Sequence, residues 1–167
     1  MSNKHLPAKR LAELALLTAA ALIIFVIELQ LPPLTPVPGI KPGLANIITV
    51  YCVYRCKPWE TALVVAARVI LGALFAASFS TILFSAAGAA LCLAGMIPVS
   101  RVFPKLPIWA CSIVGAVLHN LGQTLAAVIW LGSFSVLGYF PFLLISGVIS
   151  GAFTGLCAWV VIGRVKR

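Results

Sequence analysis

Six apolar runs, each closed by Pro, Gly or basic residues, leave this chain little choice of fold. The first, Leu11 to Leu31, is close to the ~20 residues that span a bilayer. Pro32, Pro33, Pro36 and Pro38 end it, because proline removes a helical donor and clashes with the preceding turn. The later runs are 43–56, 59–77, 79–97, 108–131 and 139–162. The spacing therefore predicts an all-α integral membrane protein, residues 1–167 forming a single membrane domain with six transmembrane helices. The second run is short. Its length leaves three options: little tilt, a start inside a partly buried loop, or a locally thinned bilayer. Runs three and four demand a sharp turn near Ala76–Ser80, and Pro98 to Pro107 reads as a polar loop.

Composition closes the alternative of a soluble helical domain. With 62% apolar residues, 9% charged residues and a mean hydropathy of +1.14, there is too little charge to cover a water-exposed surface. The 12 basic residues outnumber three acidic ones, all Glu. They fall at the ends of apolar runs, not on one amphipathic element, so the expected partner is the lipid bilayer and not nucleic acid. The first run is too long for the core of a signal peptide, and more membrane follows it. Cys52, Cys56, Cys92, Cys111 and Cys157 lie in or beside apolar runs. No second ligand pair accompanies Cys52 and Cys56, so free buried thiols are expected and no metal site is.

Charge tests the six-span reading. Lys4, Lys9, Arg10, Arg55, Lys57, Arg101, Lys105, Arg164, Lys166 and Arg167, ten of the twelve basic residues, fall on the side of both termini. Five or seven spans would scatter them. The excess of Lys and Arg on cytoplasmic loops then makes both termini cytoplasmic, in a multi-pass protein of the cell membrane. Glu13 and Glu60 lie near the same surface, where solvent or lipid headgroups are the expected environment.

A few polar residues remain inside the runs. Arg68 lies about ten residues into run three, too deep for easy snorkelling, where a charge costs at least ~2.5–3.5 kcal/mol on insertion scales. It either ties helices together through carbonyls or Glu28, or binds an anion, since a guanidinium suits carboxylate and phosphate. Glu28, near the outer end of run one, pairs with Arg68 or Lys41, meets a cationic ligand group, or is simply solvated at the interface. In run five, His119 and Gln123 share a face at four-residue spacing, with Asn120 about 100° round from His119. Such residues glue helices or line a cavity, and three together favour the cavity. Asn46 either starts a helix or adds to that cavity. The Pro/Gly-rich stretch Pro38–Asn46, carrying Lys41, is placed to fold over its mouth. The candidate substrate-binding set is therefore Glu28, Lys41, Asn46, Arg68, His119, Asn120 and Gln123.

Ala12, Ala15 and Ala19 form a small-residue face on run one, and Gly147, Gly151 and Gly155 another on run six. Small faces let helices approach closely, either within the bundle or against a partner subunit. The chain has no Asp, no Walker lysine loop and no acidic pair to hold Mg²⁺. It is therefore not expected to be an enzyme, to hydrolyse ATP or to need a cofactor.

Three segments together, Gly39-Ile-Lys-Pro-Gly-Leu-Ala-Asn46, Arg68-Val-Ile-Leu-Gly72-Ala-Leu-Phe75 and Gly115-Ala-Val-Leu-His119-Asn-Leu-Gly-Gln123, resemble the Gx transporter family. That family also carries the name heptaprenyl diphosphate synthase component I. The resemblance runs from about Leu11 to Gly163. Pro42 departs from it, standing where an apolar residue, usually Leu, is expected. The family is similar in turn to the substrate-binding S components of energy-coupling-factor (ECF) transporters. What this implies is a six-helix subunit that binds a small-molecule micronutrient under the loop between helices one and two. It also implies docking through an Ala-x-x-x-Ala face, matched by Ala15 and Ala19, onto an ECF coupling transmembrane subunit driven by two ATPase subunits. The alternative function is a non-catalytic membrane accessory subunit in prenyl diphosphate, quinone or membrane electron-transfer metabolism. A prenyl synthase itself needs aspartate-rich motifs that are missing from this chain.

Overall fold

The computed structural model describes residues 7–31, 43–76 and 79–165, excluding the side chains of Phe79 and Thr81. The loop carrying Lys41, and part of the Ala76–Ser80 turn, lie outside the described residues. Within them the chain is helical: α1 (Ala8–Leu29), α2 (Asn46–Arg55), α3 (Pro58–Ala76), α4 (Phe79–Val102), α5 (Ile108–Leu131) and α6 (Phe140–Val165). Five segments are long and apolar enough to cross a membrane. The ten-residue α2 is not one of them; at 1.5 Å per residue it reaches about 15 Å, half the hydrocarbon thickness. Its start is packed inside the protein, with Ala45 and Asn46 buried, which is the second of the three options for the short run.

Local chemistry sets the helix ends. Pro58 occupies the first position of α3, where its missing N–H costs nothing, and Glu60 accepts the Lys57 amide at 2.8 Å. Gly132, at φ 60°, closes α5 in the left-handed conformation. A 3₁₀ turn, Phe134–Tyr139, then leads into α6. The sequence places a loop from Pro98, but α4 runs through Pro98 to Val102. Membrane helices tolerate such a proline because neighbouring groups satisfy the freed backbone. Here Met96 and Val99 are held on either side of it, packed with Cys92, Cys111 and Ala158.

Helix α5 is the centre of the bundle, and glycines set its distances to both neighbours. A Cβ on Gly151 or Gly155 would lie 2.7 Å from Ile113 Cα or 2.5 Å from Trp109 Cα, so α6 rides directly on the α5 backbone. Gly122 meets the Ala87 carbonyl of α4 in the same way. The glycine face of α6 thus serves internal packing.

The basic ends gather at one pole. Val53 and Tyr54 of α2, Val99 of α4, Leu106 before α5, Ile108 at its start, and Ala158 of α6 pack around one cluster. Arg55 donates to the Ile162 carbonyl at 3.3 Å. Arg10 joins α1 to α3 there, donating to both Glu60 oxygens at 3.1 and 2.7 Å and to Glu13 at 2.6 Å. Glu60 is therefore buried, where the sequence suggests exposure. The guanidinium fork and the Lys57 amide replace the water it gives up. At the opposite pole Phe84, Ala126, Ala127, Val136 and Leu143 form a second cluster.

Candidate functional site

Between the two poles lies a polar interior built from five helices. Arg68 comes from the inward face of α3, flanked on that face by Val65, Val69 and Gly72, all buried. Gly72 faces Phe25 of α1 without room for a side chain, since a Cβ there would sit 2.9 Å from the ring. His119 and Gln123 come from α5, one turn apart, as their spacing predicts. They press against Gly88 of α4: a Cβ on Gly88 would come within 2.9 Å of His119 Nδ1 and Cε1 and of Gln123 Cγ. Gly43, just before α2, lies on another side of His119, whose Cδ2 is 3.8 Å from the Gly43 Cβ position. Asn46 sits directly under Gly43, its Nδ2 2.8 Å from the same point.

All these groups are buried, Arg68 at 5% exposure, His119 at 3% and Gln123 at 1%. Yet Arg68 Nε, His119 Nδ1 and Gln123 Oε1 have no hydrogen-bond partner. Glu28 of α1 is an electrostatic neighbour of Arg68. No ion pair within 4.0 Å joins them among the described residues. The Glu28 carboxylate is instead committed to backbone. It accepts the Gly43 amide and lies beside the amides of Leu44 and Ala45.

Asn120 stands apart from this group. Its Nδ2 donates to the Leu143 carbonyl of α6 at 2.7 Å, and it packs against Gly147. The structure therefore brings Glu28, Asn46, Arg68, His119 and Gln123 around one interior and turns Asn120 to the α5–α6 seam. Sequence reasoning gave no role to Gly88, which shapes the wall facing His119 and Gln123. Its surroundings, Ala86-Ala87-Gly88-Ala89-Ala90, show only that a close approach is possible.

Ala12, Ala15 and Ala19 are exposed on α1. Ala15 and Ala19 line an open groove of about 380 Å³ between α1 and α3, with Leu63, Ala67 and Leu71 opposite.

The fold and interior define a membrane-helical protein with a buried, incompletely satisfied polar centre. A family model, heptaprenyl diphosphate synthase component I, matches residues 17–161, and the chain belongs to that family. The family's name makes it one component of a multi-subunit assembly. No match is found among curated proteins or among solved structures.

Proposed function

We propose that the chain is the substrate-binding membrane subunit, S-component-like, of an ATP-driven uptake system for a small anionic metabolite or micronutrient. The observation that carries this reading is the set of buried, unpartnered atoms on Arg68, His119 and Gln123. A buried polar group left without a partner costs about 1–3 kcal/mol. Side chains that merely tie helices find acceptors in neighbouring carbonyls, as Asn120 does. A ligand carboxylate or phosphate would accept from the Arg68 guanidinium, while His119 and Gln123 recognise its neutral part. Lys41 adds a second positive charge from the loop, and Asn46 a hydrogen bond beneath it.

In this reading the basic pole is cytoplasmic, both termini with it, and the site opens outward in the cell membrane. The exposed face of Ala12, Ala15 and Ala19 takes the ECF coupling transmembrane subunit, and two ATPase subunits drive release. The family name favours a second reading, a non-catalytic accessory subunit in prenyl diphosphate or quinone metabolism, because a diphosphate is also an anion suited to Arg68.

Partner identity separates the two. Tagged protein purified from its native membrane should bring the coupling subunit and ATPases with it. Replacing Ala15 and Ala19 with Leu should release them while bound ligand stays. Recovery with a prenyl synthase or redox protein, and without ATPases, overturns the transport reading.

A further inference from the structure

The three amides that precede α2, those of Gly43, Leu44 and Ala45, surround a carboxylate of the chain's own, that of Glu28. A helix start leaves backbone N–H groups without intrahelical acceptors, and their dipoles favour negative charge. Here the accounting can be done donor by donor. The amides of Asn46, Ile47 and Ile48 turn back to the carbonyls of Gly43, Leu44 and Ala45, at 2.9, 3.1 and 3.3 Å. That leaves the amides of Gly43, Leu44 and Ala45 themselves. Gly43 has φ +80°, and Ala45 is right-handed at φ −59°, ψ −14°. Such a change of hand turns successive N–H groups into one concavity, the backbone nest that binds anions. Glu28 reaches into it from α1, accepting from Gly43 with the Leu44 and Ala45 amides beside it.

Two observations make this more than a helix cap. Glu28 is 1% exposed, so its carboxyl group is held inside the protein. The cation near it, Arg68, is also buried, makes no ion pair with Glu28 within 4.0 Å, and has an unpartnered Nε. His119, also with an unpartnered nitrogen, adjoins the Gly43 turn on the same interior.

We propose that the α2 nest and Arg68 are two halves of one carboxylate-binding site, in which Glu28 is the resident anion that a ligand carboxylate displaces. This rests on the substrate-binding reading and narrows its ligand to a carboxylic acid. The unliganded protein stays near neutral inside because Glu28 stands in for the ligand. Binding exchanges one carboxylate for another at the nest, and Glu28, which stays in the chain, takes up a proton from water as it turns away, so the interior gains no net charge.

The test uses acetate and the intact protein in nanodiscs, followed by thermal stability at constant ionic strength with chloride as the control. Wild type should respond weakly to acetate, because Glu28 competes. Glu28→Gln keeps the side-chain volume and lacks the charge; half-maximal acetate should fall at least tenfold. Glu28→Ala opens the space as well, and acetate should restore much of its lost stability. Adding Arg68→Ala to either variant should remove the acetate response. Equal or weaker responses in both Glu28 variants, or a response indifferent to Arg68, overturn the proposal and leave Glu28 as an anchor for α2. A metabolite bound through Arg68 despite that result would leave the substrate-binding reading standing. An acetate site that behaves as proposed, in a protein that co-purifies with a synthase, would remove the transport reading and keep the site.

Discussion

On the α6 side of α5, Asn120 Nδ2 reaches the Leu143 carbonyl at 2.7 Å, and Ser112 meets Thr154 at 3.0 Å. On the side facing α4, His119 Nδ1 and Gln123 Oε1 make no hydrogen bond, and across the interior neither does Arg68 Nε. Both faces are buried, and both belong to one helix. The difference is therefore not depth but completion. Along the seam, glycines bring the α6 backbone to van der Waals contact, and each polar group has a protein partner at hand. In the interior, Gly88 brings the α4 backbone just as close to His119 and Gln123, yet His119 Nδ1 and Gln123 Oε1 make no hydrogen bond of good geometry. A seam that satisfies itself is structure. An interior that does not leaves three buried atoms for water or a ligand to satisfy.

Substitutions can break this contrast at either face. The largest effect should come from Gly155→Leu, whose new side chain would start 2.5 Å from Trp109 Cα. Backbone cannot yield as a side chain can, so overpacking should exceed the usual ~1–3 kcal/mol. Folded, monodisperse yield from detergent should be lost, whereas near-normal yield would mean that the seam is looser than described. Gly88→Ala presses on the side chains of His119 and Gln123, not on backbone, so the strain falls on the site. It should leave thermal stability within about 1 kcal/mol of wild type while weakening ligand binding about tenfold, a difference of about 1.4 kcal/mol. The smallest effect should be that of Asn120→Ala, a loss of about 0.6 kcal/mol, the average for one interhelical hydrogen bond in a membrane protein. Ligand affinity should stay unchanged in a titration on purified protein. A large affinity loss there would return Asn120 to the site.

The same contrast explains what the sequence discloses. Residues whose role depends on helical period were legible: His119 and Gln123 share a face because they are four apart, and Arg68 stands out because little else in its run is polar. The five membrane-length helices follow directly from apolar runs, with ends set by Pro, Gly and basic residues. Asn120 shows the limit of that reading. One residue from His119, it is turned about 100° and finds a carbonyl of α6. A backbone carbonyl carries no side-chain signature, so nothing in the sequence separates glue from site at that position. Glu28 was expected to pair with Arg68 or Lys41, to meet a cationic ligand group or to be solvated; it is a neighbour of Arg68, but among the described residues its hydrogen-bond partners are backbone amides, equally silent in sequence. Glu60 is buried for a tertiary reason, since Arg10 lies fifty residues away in the chain. Pro98 marked a helix end by local rules, and packing around Met96 and Val99 carried the helix past it.

The central claim, that Arg68 faces a ligand and not a helix tie, is tested most directly by native mass spectrometry. Wild type and Arg68→Ala would be purified in mild detergent and the small molecules leaving with each identified. The account predicts a stoichiometric anionic metabolite on wild type, absent from Arg68→Ala, which still inserts and folds. Removing one charged hydrogen-bond partner, about 1.5–3 kcal/mol, corresponds to roughly a 10- to 150-fold loss of affinity. Lipid alone on both proteins, or the same metabolite on both, would contradict it and make Arg68 a structural residue.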